Sequence, residues 1–285
     1  MYTNKIGFNL LAWSATINDD LLLVSERLKK IGYDGVECFL GNGTREVYKN
    51  FGKNIHDLGL EVTCVLVLNR DENIVSPTLS VRENGLGRIK WAIDRANEMG
   101  ASIICGPFHS AHSTFSGEPP SSEEYSRSAE ILAKAGEYAS EAGVVLALEA
   151  VNRFECYLCN TMDQLLDLVK MVAHPNVGAL YDTHHANIEE KNITEAILKV
   201  APVLRHVHIS ENDRGTPGQG HNAWDESFST FAKIDYKGWL TIEAFTRSDP
   251  GFSNLINVWR EFSESWEIAE QGFSFIKNKL AEFNG

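Results

Sequence analysis

The sequence predicts a closed α/β barrel of eight parallel strands, each followed by a helix. Eight short apolar runs alternate with eight helical stretches along 285 residues. Several of the runs are apolar without a period of two, as strands covered on both faces are. Four of the early helices stop at a glycine, Gly32, Gly59, Gly100 and Gly143, the residue that tolerates the left-handed C-cap. An open doubly wound sheet would carry a glycine-rich phosphate turn after an early strand, and none is present.

IGFNLLAW, 6–13, is the first strand, and 19–31 is a helix with Leu22, Leu23, Leu28 and Ile31 at its apolar positions. GVECFL (35–40) is the second strand, followed by a helix over 45–58. EVTCVLVL (61–68) is the third, then a long loop and a helix over about 80–99. SIICGPF (102–108) is the fourth, with a helix over 123–141. The fifth strand, 144–151, precedes a helix over 161–173, and the sixth, 177–182, a helix over 193–200. The seventh, 204–210, precedes a helix over 224–233, and the eighth, 239–245, a long amphipathic helix over 253–282. No linker divides the pattern, so residues 1–285 read as one (β/α)8 barrel domain.

Hydrophobic residues make up 43% of the chain, enough for a large core. A formal charge of −13 argues against nucleic acid or an acidic membrane surface as partner and suits a small neutral substrate. Cys38, Cys64 and Cys105 lie in apolar runs, and the odd total of five fits reduced thiols in the cytoplasm. Cys156 and Cys159 form a lone CxxC with no second pair to complete a zinc site. The N-terminus lacks a signal segment, and no run reaches membrane-spanning length.

The chemistry concentrates at the ends of strands five to eight. Glu149 ends the apolar run VVLALE, Asp182 closes VGALYD, His208 sits in RHVHIS and Glu243 in WLTIEAF. Their separations of 33, 26 and 35 residues are each close to one strand–helix unit, so in a closed barrel they converge on one mouth. A lone buried carboxylate is costly unless paired. Three carboxylates and one imidazole form an oxygen-rich set suited to Mn²⁺, Mg²⁺ or Co²⁺.

ALEAVNRFE, YDTHHANIEE, HVHISENDRGTPGQG and IEAF resemble the strand-end motifs of the D-tagatose 3-epimerase/D-psicose (allulose) 3-epimerase family, within the xylose-isomerase-like sugar isomerases and epimerases. The motifs cover about residues 144–245, and the barrel rhythm extends the resemblance to the whole chain. It implies one divalent ion, Mn²⁺ first, held by Glu149, Asp182, His208 and Glu243, with Glu149 and Glu243 also acting as the catalytic acid/base pair. It further implies that Glu155, His185 and Arg214 bind sugar oxygens, and that the protein is a homodimer or homotetramer. His184 stands where that family more often has an apolar residue, commonly Phe.

The expected reaction is epimerisation of a free ketose at C3. The C–H beside a ketose carbonyl is a weak acid, so the enediolate formed on deprotonation needs electrophilic stabilisation. Inversion needs a proton taken from one face and returned to the other, hence two carboxylates. Related expectations on the same barrel are an aldose–ketose or hydroxypyruvate isomerase, a keto-glycoside epimerase or an inosose-type dehydratase. A non-catalytic sugar-binding barrel belongs to another class, and the presence of both glutamates weighs against it. A three-zinc DNA-repair endonuclease would need more ligands and less negative charge. His206 reads as a hydrogen-bonded core histidine; His109 and His112 read first as solvated loop residues, with contact to substrate as the alternative if the segment 106–120 covers the mouth. Trp13, Phe39 and Phe245 read as rim packing or a wall beside the sugar. Trp259, Phe262 and Trp266, at helical spacing, read as packing or a subunit interface.

Overall fold

Each apolar run becomes a parallel strand. In chain order they are β1 (Lys5–Asn9), β2 (Gly35–Phe39), β3 (Glu61–Val65), β4 (Ile103–Gly106), β5 (Val145–Glu149), β6 (Val177–Asp182), β7 (Leu204–Ile209) and β8 (Trp239–Ile242). Neighbours pair in sequence order, and β8 returns to β1 with Lys5 opposite Trp239, closing the barrel. This computed structural model describes residues 3–283, so the ends of the expected 1–285 unit, Met1, Tyr2, Asn284 and Gly285, lie outside the described residues.

The helices that cover the strands are α1 (Asp19–Ile31), α2 (Arg45–Asp57), α3 (Leu79–Met99), α4 (Ser122–Glu141), α5 (Met162–Val172), α6 (Thr183–Glu189), α7 (Ile193–Val200), α8 (Trp224–Lys233), α9 (Pro250–Leu255) and α10 (Ser265–Phe283). Gly32, Gly59, Gly100 and Gly143 all take positive φ where the sequence calls for helix ends. Gly106 is the tightest of the glycines at positive φ: at φ +123° a Cβ there would lie 2.4 Å from the Leu66 carbonyl oxygen.

Besides the first strand, which stops at Asn9 because Leu10–Ala12 form a 3₁₀ turn capped by the Asn9 side chain, two elements differ from expectation. The long helix over 253–282 is broken into α9 and α10. Asp249 caps α9 by accepting from the Phe252 N–H at 3.1 Å, Pro250 opens it, and Asn257 at φ 60° lies just past its end. Trp259 and Phe262 therefore lie in the connection, Trp259 67% exposed, while Trp266 on α10 packs 4.9 Å from Trp13. The second is α6, a short helix directly after β6 that hydrophobic period alone does not reveal.

Alternation along each strand sends one set of side chains to the helices and the other into the barrel. In β7, Val207 and Ile209 join the large apolar cluster under the helices, so His206 and His208 face inward. A small inner cluster of Val65, Cys105, Ala147 and Leu180, with Phe39 packed on it, fills the interior. All five cysteines are free and buried. Among the described residues no helix is long and apolar enough to cross a membrane.

Candidate metal centre

β5 ends on Glu149, β6 ends on Asp182, β7 presents His208 one residue from its end, and Glu243 immediately follows β8. Asp182 lies directly opposite His208 in the ladder, and all four side chains are buried. His208 Nδ1 stands 3.8 Å from Glu149 Oε1, 3.6 Å from Asp182 Oδ2 and 3.6 Å from Glu243 Oε1. One donor atom from each of the four lies within 4.8 Å of the others. The structure thus brings together the four side chains that strand-end spacing singled out.

A divalent cation fits this set. Glu149 Oε1 and His208 Nδ1 are buried without a hydrogen-bond partner, although each is a strong donor or acceptor aimed into the cluster. The cluster is also short of positive charge. Burial, reinforced by Glu149 and Asp182, pushes the Glu243 carboxyl up to about 8 against the pull of His208 and Arg214. Burial works the same way on Asp182, but Arg214, His185 and His208 outweigh it and hold that carboxyl well below the usual range. Oxygen donors with one imidazole suit Mn²⁺, Mg²⁺ or Co²⁺.

Asp182 has a second task. Its Oδ1 accepts from the backbone N–H groups of His184 (2.6 Å) and His185 (3.1 Å), which caps α6 and leaves Oδ2 for the centre. The cap also fixes His185 over the mouth, with Nε2 3.6 Å from Glu149 Oε1 and Nδ1 accepting from the Asn152 N–H at 3.1 Å. Arg214 completes this side. Its Nη1 donates to Glu243 Oε2 (2.8 Å), Ser210 Oγ (2.8 Å) and Asp182 Oδ2 (3.3 Å), and Nη2 lies 3.0 Å from His185 Nε2. The guanidinium sits 4.9 Å from the Phe245 ring centre, a cation–π contact that gives the expected wall residue a definite role.

Glu155 is the outer member. Its Oε1 accepts from Asn152 Nδ2 at 2.8 Å and its Oε2 lies 3.2 Å from His112 Nε2. One ligand atom each from the Glu155 carboxylate and the His184 and His185 rings lies within 4.8 Å of the others. Burial raises the Glu155 carboxyl, but His185, His112 and Arg214 outweigh it and hold it well below the usual range. His184 is half-buried, its Nδ1 3.1 Å from the Glu211 carbonyl, and desolvation lowers it to about 3.

Two histidines depart from the loop reading. His109 is fully buried, with Nε2 2.9 Å from the Glu149 carbonyl oxygen, and burial lowers it to about 4. It braces the end of β5 rather than facing solvent. His112 is partly exposed but held by Glu155 and Ser113. Phe39 packs against the inner cluster, and Trp13 lies between Phe8 and Trp266.

Beneath the four-residue set lies a layer that the sequence reading missed. Glu37, in the middle of β2, is fully buried and accepts from His208 Nε2 (2.8 Å), Thr63 Oγ1 (2.8 Å), Asn9 Nδ2 (3.1 Å) and Cys105 Sγ (3.3 Å). His206 Nε2 is 2.9 Å from Glu37 Oε2 but off the hydrogen-bond direction. A lone acid inside the apolar run GVECF was the signal available, the same signal that drew attention to Glu149.

A model of the xylose isomerase-like TIM barrel family matches residues 25–278. A ketose 3-epimerase from Arthrobacter globiformis is 30% identical, over 97% of this chain and 96% of that protein. A solved L-ribulose 3-epimerase superposes with a TM-score of 0.93 at 30% identity, covering 99% of this chain and 96% of that one. A D-psicose 3-epimerase from Clostridium cellulolyticum H10, solved with D-tagatose, has a TM-score of 0.89 at 26% identity over 98% and 99% of the two chains.

Proposed function

The chain belongs to the xylose isomerase-like TIM barrel family, and from that premise we propose that it is a divalent-metal-dependent ketose 3-epimerase acting on a free, non-phosphorylated sugar. The observation that carries this reading is the pair Glu149 and Glu243, on β5 and just past β8, which converge on His208 Nδ1 at 3.8 and 3.6 Å. Two carboxylates converging on one point from different strands are what proton removal and return at one carbon require.

Glu149, Asp182, His208 and Glu243 would hold the cation, Mn²⁺ in first place, which would supply electrophilic stabilisation to the oxyanion formed as the C3 proton leaves. The protein's own groups do the rest. Glu149 Oε1, free of hydrogen bonds, takes the proton in one direction. Glu243 returns one on the other face, and its Oε2 is steadied by Arg214. His185 and Arg214 orient the oxygens at C1 and C2, and Glu155, set by Asn152 and His112, borders them. Among these groups Arg214 is the single fixed cation, and it is engaged with Asp182 and Glu243, which supports an uncharged sugar over a phosphorylated one. The five unpaired thiols support a cytoplasmic location, and the family resemblance supports a homo-oligomer.

Proton NMR of the Mn²⁺-loaded protein in D₂O with fructose, allulose, tagatose, sorbose, ribulose and xylulose tests the proposal. Deuterium at C3 together with the C3 epimer is the expected result, and Glu243→Gln should lose about 10²–10⁴-fold of that exchange. Exchange at C1 with aldose formation would make the protein an aldose–ketose isomerase instead. A metal-loaded protein that exchanges no proton of any ketose would overturn the proposal.

A further inference from the structure

We infer that Glu37 is a positioning residue: its carboxylate fixes the tautomer and orientation of His208 and thereby sets how tightly the four-residue centre holds its cation. The inference rests on reading Glu149, Asp182, His208 and Glu243 as the cation's ligands, and adds a residue on β2.

A neutral imidazole has one N–H and one lone pair, and a ligand nitrogen must present the lone pair. In His208 the nitrogen facing the three carboxylates is Nδ1, at 3.6–3.8 Å. The proton therefore belongs on Nε2, and Nε2 points at Glu37 Oε1, 2.8 Å away. Glu37 is an acceptor only, so it selects this tautomer and holds the ring plane.

Glu37 is itself held from every side. Thr63 Oγ1 (2.8 Å) and Cys105 Sγ (3.3 Å) donate to Oε2, and Asn9 Nδ2 (3.1 Å) donates to Oε1. The Asn9 amide is oriented in turn, because its Oδ1 accepts from the Leu11 N–H at 3.0 Å. The same Nδ2 reaches Glu243 Oε1 at 3.3 Å. Glu37 thus touches His208 directly and is joined to Glu243 through one amide, so a single buried carboxylate braces two of the four ligands. Burial of Glu37 at 0% exposure is costly for an ion without such donors, and nothing in barrel packing alone calls for an acid at this point.

Glu37, Cys105, His206 and His208 also lie close enough to hold an ion of their own. Two features favour the bracing role. His208 Nε2 is spent on Glu37, and the Cys105 thiol is engaged with Glu37 Oε2 and the Cys64 carbonyl oxygen, each 3.3 Å away.

The test is titration calorimetry of Mn²⁺ into the full, chelator-treated protein, with the visible spectrum of the Co²⁺ form as a second readout. Wild type should bind one equivalent and Asp182→Asn should not. Glu37→Gln, which keeps the shape and removes the charge, should bind about 10–100-fold more weakly with a changed Co²⁺ spectrum. Thr63→Val, which frees one side of the carboxylate, should weaken binding by a smaller factor than Glu37→Gln. Folded Glu37→Gln with the wild-type Kd and Co²⁺ spectrum would overturn the inference, whatever its thermal midpoint. If Glu37→Gln does not fold, Thr63→Val decides: a weakened Kd upholds the brace and a wild-type Kd rejects it. If wild type and Asp182→Asn bind alike, the ligand assignment fails first and the inference with it.

Discussion

Arg214→Met isolates the electrostatic cost of the centre. Arg214 is 8% exposed and its Nη1 faces Asp182 and Glu243 together. Methionine keeps much of the stem on Phe245 but leaves those carboxylates, with Glu149 nearby, without their fixed cation. Removing one partner of a buried ion pair costs about 3–5 kcal/mol. An unfolding entropy of about 2.1 cal/mol/K per residue gives about 0.6 kcal/mol/K for a chain of 285 residues. The midpoint should therefore fall by about 5–8 °C in calorimetry with EDTA present. Backbone strain does not confuse the comparison, because both side chains carry a Cβ at the same φ of 66°. Since a bound divalent ion would neutralise the same carboxylates, the loss should shrink in saturating Mn²⁺. A midpoint within about 1 °C of wild type in EDTA would refute the claim that Arg214 offsets carboxylate repulsion.

Three further outcomes follow from the same geometry. Mn²⁺ at one hundred times its Kd should stabilise the wild type by about 2.7 kcal/mol, a rise of about 4–5 °C in scanning calorimetry; Asp182→Asn should abolish the rise, and a persistent rise would place the ion elsewhere. The folded Glu155 carboxyl lies below its unfolded value of about 4.3, so its contribution is present above that pH and is lost as pH falls through and below it. Glu155→Gln should accordingly flatten the acid limb of midpoint against pH below about 5, and an unchanged limb would count against the His185–His112–Arg214 surroundings as the cause. Gly106→Ala should cost at least about 2 kcal/mol, read as a fall of about 3 °C or more, because the new Cβ meets the Leu66 carbonyl at a φ few L-residues adopt; a neutral result would mean that β3 and β4 can separate there.

Much of the architecture was legible because strand and helix periods are local. The eight apolar runs, the glycine stops and the strand-end spacing of Glu149, Asp182, His208 and Glu243 can all be read along the chain. The broken C-terminal helix was less legible, since its apolar period runs on through 256–264 while Pro250 and the left-handed Asn257 act on the backbone. His109 was misread because loop composition says nothing of burial, and only the approach of β5 supplies its carbonyl partner.

The sequence by itself determined the strand order and which side chains could meet at the barrel mouth, because a repeating strand–helix unit places equivalent positions at the same end. Only the tertiary structure decided what each of those side chains faces. That Arg214 spans Asp182 and Glu243 and that Glu37 holds the far nitrogen of His208 are contacts between residues 29 to 171 positions apart. Such contacts follow from barrel closure and inward alternation, and hydrogen-bond direction is a property of three-dimensional distance and angle, which no spacing along a chain encodes.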